Sequence, residues 1–302
     1  MKKLLKLGAL LALALMLFTG CAGKTEPTQP TKGTVEYSNL TDGVSRGLLE
    51  EALISAGIPE NRIENLMTRV DRFNASVKTE WLTNGFETAP AAYTKYDPYA
   101  MQDEWMAKNG NFPGYNCRIT AFGLLADRVT VAPDAPATQG EDFLFLDLET
   151  LKQDEAVLCG ESQAEFCALF APVAAADSTK TEDQVRAMQE GWSQRGIGFS
   201  EGQGSLITVI FHDRFSEDAG TLSVGHTGVL LPGKNGGLLF IEKVAFQEPY
   251  RLLKFRDWQA LSDYLMEKYD TAWGQNTTRP FVMENNALME GFRPNPLLSE
   301  EG

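Results

Sequence analysis

Two kinds of hydrophobic spacing divide this chain: a helical period comes first and a strand-like alternation follows. Segments 44–57 and 59–74 carry apolar residues every three or four positions, which is the spacing of an amphipathic helix. Pro59 fits the first turn of the second helix, where its missing N–H is not needed. The two segments predict an antiparallel helix pair. The apolar stripe of the second helix comprises Ile63, Leu66, Val70 and Phe73.

Two further helices are predicted between residues 97 and 125. Asp97 followed by Pro98 opens the first of them, because Asp caps a helix and Pro tolerates its first turn. A turn-like N-G-N-F-P-G follows, and the next run, Y-N-C-R-I-T-A-F-G-L-L, predicts a buried helix. Cys117 lies on the first turn of that buried helix. The apolar residues of the earlier helix are Met101, Trp105 and Met106.

A mixed stretch from about 126 to 204 separates these helices from the strands that follow. Thr181 and Gln184 in this stretch have the spacing of a capping box, which marks the start of a helix. We interpret the whole stretch as a helical insertion. Its predicted elements are a loop at 129–137, short helices at 141–151 and 163–170, and a longer helix at 181–192.

Strand patterns begin after Gly204. Four successive segments are rich in β-branched and aromatic residues, and the turn P-G-K-N-G-G predicts a hairpin between the second and the third. An amphipathic helix capped by Asp257 follows, and the tail after Asp270 has no clear pattern. Helices followed by an antiparallel meander of about four to five strands predict an α+β fold, formed as one domain over 35–302. The strand segments are 205–212, 221–231, 237–246 and 249–255.

The N-terminus predicts export. Three lysines precede an apolar run at 7–18, which fits a secretory signal peptide and is too short to span a membrane. The sequence L-F-T-G-C resembles the bacterial lipobox, which implies removal of residues 1–20 and a lipid on Cys21; an ordinary signal peptide is the alternative. Residues 21–34 are polar and rich in Pro and Thr, which predicts a disordered tether. The expected location is the extracellular face of the bacterial cell membrane, with the lipid as anchor.

Charge narrows the possible partners. The chain has 27 Lys and Arg against 41 Asp and Glu, a net charge of −14. Without the three lysines of the signal, 24 basic and 41 acidic residues remain, a net charge of −17. Such a protein is not expected to bind nucleic acid or an anionic surface through charge.

The chemistry that the sequence offers centres on Cys117. The N-terminus of a helix favours a thiolate over a thiol, because its free N–H groups carry partial positive charge. Only two histidines occur, His212 and His226, and His226 lies in the predicted strand V-G-H-T-G-V-L-L. A cysteine at a helix start with a histidine on a strand is the minimum set of a cysteine hydrolase. His212 is interpreted as structural or adjacent to the site.

A third residue follows from the register of the predicted hairpin. If Leu231 and Leu238 flank the turn, Lys243 lies opposite His226, and a shift of one residue brings Glu242 there instead. Glu242 is the only acid in that strand, and a carboxylate stabilises an imidazolium. We therefore expect Cys117 as nucleophile, His226 as acid and base, and Glu242 as the residue that orients His226.

An acyl-transfer site also needs hydrogen-bond donors for the oxyanion. The backbone N–H of Cys117 is one candidate. The side-chain candidates are Asn111, Tyr115 and Asn116, and Asn111 ranks first.

The order of cysteine on a packed helix, histidine on a strand and a polar residue on the next strand resembles the papain-like fold. G-H-T-G-V-L-L is similar to the histidine strand of NlpC-type cell-wall peptidases. Where those enzymes usually have Asp-Cys-Ser-Gly, this chain has Asn116-Cys117-Arg118-Ile119. The chain also resembles an uncharacterised family of lipoproteins from Gram-positive bacteria. The resemblance implies a papain-like, lipid-anchored cysteine peptidase or amidase, acting on cell-wall peptides or another extracellular amide without a cofactor.

Structural and non-catalytic interpretations stay open. Cys117 and His226 can both be core residues, and the chain can be a non-catalytic lipoprotein that binds a ligand or partner on a papain-like scaffold. Cys159 and Cys167 fit no common zinc spacing, so we expect two buried thiols or, alternatively, a disulfide. The G-F-S-E-G motif around Ser200 matches a serine elbow, but its predicted flanking elements are in the reverse order.

Overall fold

A computed structural model describes residues 33–91, 94–132, 141–158, 163–214, 220–271 and 276–298. The predicted signal peptide, Cys21 and nearly all of the tether lie outside these ranges, as does Cys159. No described helix is both long enough and apolar enough to cross a membrane.

A nine-stranded antiparallel sheet forms the centre of the described part. The strands in chain order are β1 (Thr34–Ser38), β2 (Glu87–Pro90), β3 (Val129–Thr130), β4 (Val173–Ala174), β5 (Gly198–Phe199), β6 (Ser205–Asp213), β7 (Thr221–Pro232), β8 (Leu238–Lys243), β9 (Tyr250–Phe255), β10 (Phe281–Glu284) and β11 (Ala287–Leu288). The sheet order is β11-β10-β6-β7-β8-β9-β1-β2, with β4 also paired to β7, while β3 and β5 form a separate pair.

Eight α-helices accompany the sheet in the described ranges. They are α1 (Gly43–Ser55), α2 (Glu60–Ser76), α3 (Pro98–Asn109), α4 (Cys117–Leu125), α5 (Glu141–Gln153), α6 (Gln163–Phe170), α7 (Thr181–Gln194) and α8 (Trp258–Tyr269). The predicted helices are therefore confirmed with small changes at their ends. The fold is a mixture of helices and an antiparallel sheet, as the α+β prediction requires.

Polar side chains start several of these helices. Asp42, Asp97 and Asp257 each accept backbone N–H bonds at the N-termini of α1, α3 and α8, which is how an N-cap replaces missing intrahelical partners. The capping box predicted for α7 is wrong. Lys180 occupies its N-cap position without a side-chain cap, and Gln184 instead bonds Ala176 and the Ser178 carbonyl.

The sheet separates two apolar layers. One face of β7 contributes Val229 and Leu231 to a core shared with α1, α2 and α4, whereas Leu230 points into a second core shared with α8. Strand side chains alternate between faces, so one strand supplies both layers. The helix α4 that carries Cys117 and the helix α8 thus belong to different layers around the same strand.

The sheet has more strands than the sequence predicts. The four predicted strands are β6 to β9, but β1, β2, β4, β10 and β11 join them. The tail after Asp270 was expected to be irregular, and this is wrong because Phe281–Glu284 pairs with β6. These added strands are two to five residues long, too short for periodicity to reveal, and pairing with distant strands decides their conformation.

Candidate active site

Cys117 is the first residue of α4, and its position is fixed by the cap before it. Asn116 adopts an extended backbone, and its side-chain oxygen accepts the N–H of Ile119 at 3.0 Å. The first N–H groups of a helix have no partner within the helix, and Asn116 supplies one for the third of them. Cys117 therefore meets the partial positive charge of the helix start, with 6% of its surface exposed.

The helix α5 from the predicted insertion anchors this end of α4. Asp147 on α5 accepts a bond from Asn116 Nδ2 at 2.7 Å and pairs with both Arg118 Nε and Nη2, at 3.0 and 2.7 Å. Arg118 also donates to the carbonyl of Val224 on β7 at 3.1 Å. The residues on either side of Cys117 are thus tied to α5 and to the strand that carries His226.

A β-bulge in β7 determines the direction of His226. Val209 of β6 pairs with His226, and the next residue, Ile210, pairs with Val224, so Gly225 is an extra residue. Because strand residues alternate in direction, His226 would share the face of Val224 without the bulge. A side chain at Gly225 would collide with the Phe211 ring, since its Cβ would lie 2.4 Å from a ring carbon. The bulge turns His226 towards α8.

His226 joins the thiol to a carboxylate. Its Nε2 lies 2.7 Å from Glu242 Oε2, and the Cys117 thiol and the imidazole are close enough to shift each other's pKa. His226 is 1% exposed and Glu242 is fully buried. The three residues that the sequence singled out therefore form one chain of contacts, thiol to imidazole to carboxylate.

The register behind this contact differs from the prediction. Pro232 pairs with Leu238 and Leu231 with Leu239, so the predicted pairing of Leu231 with Leu238 is wrong by one residue. The described ladder between β7 and β8 ends at Val229 and Ile241; the same register continued would place Glu242 diagonally from His226 on the same face. A diagonal neighbour is within reach of a long side chain, which explains the contact without direct opposition.

Lys243, the other residue considered for the position opposite His226, has a different role. Its ammonium group donates to the carbonyls of Ala245, Phe246 and Glu248 and lies 4.0 Å from the centre of the Phe73 ring. Burial holds the pKa of Lys243 well below its usual value. Lys243 faces α2, on the side of the sheet opposite to Glu242.

The electrostatics around Cys117 and His226 favour the charged forms of both side chains. Burial alone would raise the pKa of the Cys117 thiol, but its hydrogen bond to His226 and the charges of His226 and Arg118 lower that pKa below its usual value. Burial alone would lower the pKa of His226, but its bonds to Cys117 and Glu242 raise it. Both shifts act in the direction of a thiolate beside an imidazolium.

Glu242 is kept ionised in a buried setting. Burial would raise the pKa of this carboxyl, but the charge of Lys268, the bond to His226 and the charge of Arg251 lower it to about 2. Tyr264 donates its hydroxyl to Glu242 Oε1. Lys268 is half-buried, but its ammonium nitrogen is buried and has no hydrogen-bond partner among the described residues. Glu242 therefore accepts bonds on both oxygens and is flanked by two cations.

The side chains predicted to donate to an oxyanion are bonded to other groups or exposed. Tyr115 donates its hydroxyl to Asp154 at 2.6 Å, and both ends of the Asn116 amide are engaged in the cap and with Asp147. Asn111 is exposed and makes no hydrogen bond to a described residue. The backbone N–H of Cys117, at the first position of α4, is the predicted donor whose placement fits.

The remaining sequence candidates lie apart from these three residues. His212 accepts the N–H of Thr278 through Nδ1 at 3.1 Å, and Ser200 bonds the carbonyl of Arg128 through both its N–H and its hydroxyl. Cys167 is half-buried on α6 and not fully buried as expected, and the alternative of a disulfide with Cys159 involves a residue outside the described ranges. Sequence reasoning missed Tyr264 and Lys268, although their spacing of four residues on a predicted helix placed them on one face.

A cleft of about 300 Å³ lies beside the hairpin turn, at the C-terminal end of β7. Trp258 and Glu284 line it together with Leu230 and Pro232, and the indole N–H of Trp258 donates to Glu284 at 3.1 Å. Within the described residues, no group of three or more His, Cys, Asp or Glu side chains could hold a metal ion.

Comparison with known proteins places the chain in a family. The family model described as "Domain of unknown function (DUF4300)" matches residues 36–289, which include every residue of the Cys117, His226 and Glu242 set. No curated protein and no solved structure matches the chain.

Proposed function

The chain belongs to the DUF4300 family, whose description assigns no activity, and we propose that it is a cysteine hydrolase with a papain-like catalytic arrangement. The proposed reaction is hydrolysis of an amide through a thiol acyl-enzyme. Cys117 is the nucleophile, His226 the acid and base, and Glu242 the residue that orients and charges His226.

One observation carries this proposal: the buried contact from His226 Nε2 to Glu242 Oε2 at 2.7 Å, with the Cys117 thiol close enough to the same imidazole to shift its pKa. A nucleophile, a base and an orienting group in one hydrogen-bonded chain are what nucleophilic catalysis requires. A core cysteine needs none of these. Burying an ionised carboxylate with a histidine is unfavourable unless both are paired, so this arrangement is hard to explain as packing.

The reaction follows from the charges. The Cys117 thiolate attacks the carbonyl carbon, forming the C–S bond, while the C=O electron pair moves to the oxygen. The N–H of Cys117 donates to this oxyanion. Collapse breaks the C–N bond, and the His226 imidazolium gives its proton to the leaving amine. His226 then removes a proton from water, which attacks the thioester and releases the acid and the thiolate.

The location and substrate class are further parts of the proposal. The lipobox-like L-F-T-G-C and the Pro- and Thr-rich stretch after it support a lipid on Cys21 and a location on the extracellular face of the membrane. A hydrolase held there meets cell-wall peptides and other extracellular amides. The likeness of the histidine strand to NlpC-type peptidases supports a cell-wall peptide as the first substrate to test.

Alkylation by iodoacetamide tests the thiolate. Cys117 is expected to react stoichiometrically and faster than an unperturbed thiol, and peptide mass spectrometry identifies the modified cysteine. Cys167→Ser should leave the rate unchanged, and His226→Ala should reduce it to that of an ordinary thiol. Ordinary or absent reactivity of Cys117 in the folded protein would count against a catalytic thiol.

Digestion of purified peptidoglycan tests the substrate. Wild-type protein is expected to release peptides that carry a new amine and a new carboxyl group, detected by mass spectrometry, and Cys117→Ala should release none. A reactive Cys117 without release of peptides would exclude the cell wall while leaving the hydrolase open to other amides.

A second function has one observation in its favour. Cys117 is only 6% exposed, and a cleft formed by described residues lies beside the hairpin turn at the C-terminal end of β7. A closed thiol and a separate cleft fit a non-catalytic lipoprotein that binds a ligand or partner on the same scaffold. An unreactive Cys117 together with saturable ligand binding that Trp258→Ala abolishes would favour this function.

A further inference from the structure

Arg69 is a buried cation without a counter-charge. It lies on α2, is 3% exposed, and none of its three guanidinium nitrogens has a hydrogen-bond partner in the described residues. The guanidinium carbon of Arg69 lies 5.5 Å from the centre of the Tyr115 ring, which is a cation–π contact. No carboxylate of a described residue lies within ion-pair distance of Arg69. Such a group is costly to bury, because a guanidinium stays charged and cannot lose its proton at neutral pH.

Two buried hydroxyls accompany Arg69 and are unsatisfied as well. Thr120 Oγ1 on α4 and Tyr250 Oη on β9 each lack a hydrogen-bond partner among the described residues. Both Arg69 and Thr120 are near enough to the Tyr250 hydroxyl to act on its pKa, yet none of the three reaches good hydrogen-bond geometry with another. Five donor or acceptor atoms thus surround one place where α2, α4 and β9 meet.

The neighbouring titratable side chains are basic rather than acidic. Arg72 lies close enough to influence Tyr250, and the ammonium of Lys243 lies 5.3 Å from the centre of the Tyr250 ring. Burial raises the pKa of Tyr250 despite Arg69, so this phenol stays neutral at pH 7 and cannot serve as the counter-ion. Asp154 accepts the hydroxyl of Tyr115, the residue whose ring contacts Arg69.

We infer that Arg69, Thr120 and Tyr250 form a binding site for a small monovalent inorganic anion of the size of chloride. The guanidinium donates two or more N–H bonds and supplies the charge, and the two hydroxyls complete the shell as donors. A buried water molecule would satisfy the donors but would leave the charge of Arg69 uncompensated, whereas an anion does both. The anion would join α2 to β9 and to α4, one turn after Cys117.

Thermal unfolding in matched salts tests the site without using activity. The purified full chain is studied at constant ionic strength, with chloride replacing gluconate, a much larger anion. The Tm is expected to rise with chloride by about 3 °C for each tenfold increase above its Kd, because a ligand that binds only the folded state stabilises it by mass action. A Tm that is the same in chloride and gluconate would overturn the inference.

Two variants separate the site from general salt effects. Arg69→Met keeps the length of the side chain and removes the charge, so it should lose the chloride dependence and be at least as stable as the wild type in gluconate. Arg256→Met, which changes an arginine whose side chain is 78% exposed, should keep the dependence. A chloride response retained in Arg69→Met would place the ion elsewhere.

Bromide in crystals of the wild-type protein gives a second measurement that needs no variant. Its anomalous signal should lie between the Arg69 guanidinium and the hydroxyls of Thr120 and Tyr250. Density for water alone at that place, without an anomalous signal, would also overturn the inference.

Discussion

The ring of Tyr269 stacks on the imidazole of His226, with the ring centres 4.8 Å apart and 23° between the planes. Glu242 holds the same imidazole at Nε2, so the ring is fixed both in its plane and from one face. Tyr269 is the last residue of α8, the helix that also brings Tyr264 and Lys268 to the carboxylate. The helix α8 therefore supports the proposed base and its orienting residue together.

Loss of this stacking should affect reactivity more than stability. In Tyr269→Ala the imidazole can rotate away from the thiol, and small misplacements of reacting groups reduce rates steeply. We expect the alkylation rate of Cys117 at pH 6 to fall roughly tenfold. Tyr99→Ala, at a position 82% exposed on α3, is the control and should leave the rate unchanged. Equal rates in Tyr269→Ala and the wild type would show that Glu242 alone orients the ring.

The thiolate should persist at low pH. Because its hydrogen bond to His226 and the charge of His226 lower the pKa of Cys117 despite burial, the alkylation rate of Cys117 should change little between pH 8 and pH 6. An ordinary thiol loses roughly a factor of 100 over these two units, since only the thiolate reacts. The rate at each cysteine is followed by quenched mass spectrometry. A rate at Cys117 that falls tenfold per pH unit would contradict the ion pair.

Glu242 should make stability depend on acid pH. Its folded-state pKa of about 2 lies below the ordinary value of 4.5, so its contribution is present above pH 4.5 and is lost as the pH falls towards 2. A depression of this size corresponds to about 3 kcal/mol. The free energy of unfolding of the wild type, from urea titrations, should fall over this range.

Glu242→Gln is the matched variant for that measurement. It keeps the shape of the side chain but removes the charge that Lys268 and Arg251 face, so it should be less stable than the wild type at pH 7 by roughly 3 kcal/mol. Its stability should also change less between pH 4.5 and pH 2. If the variant follows the wild-type pH profile, another carboxyl is responsible for the dependence.

Asp147 should be important for the position of Cys117. It is 1% exposed and holds both Asn116 and Arg118, and removing one partner of a buried ion pair leaves the other uncompensated. Asp147→Ala is expected to destabilise the protein by about 3 kcal/mol. Asp71→Ala breaks the pair with Arg46, in which the Asp71 side chain is 63% exposed, and should cost less than about 1 kcal/mol. Urea unfolding of both variants makes the comparison, and similar losses would contradict the anchoring role of α5.

The three residues of the proposed site were identifiable from the sequence for different reasons. Cys117 follows a turn and a capping residue, which are local signals, and His226 is one of only two histidines. Glu242 was chosen as the only acid of its strand, and it reaches His226 although the assumed hairpin register was wrong by one residue. Side-chain length compensated for the error, because a diagonal neighbour is still within reach.

Local signals in the chain specify its individual elements and the types of residue available for chemistry, since periodicity, caps and turns act over a few positions. The face that His226 occupies depends on contacts between strands, because the bulge at Gly225 lies against the ring of Phe211 on the neighbouring strand, where a side chain would not fit. The short strands β1, β2 and β10 and the cations around Glu242 also come from distant segments. Contacts between such segments depend on pairing and packing across the whole domain, which no local pattern records.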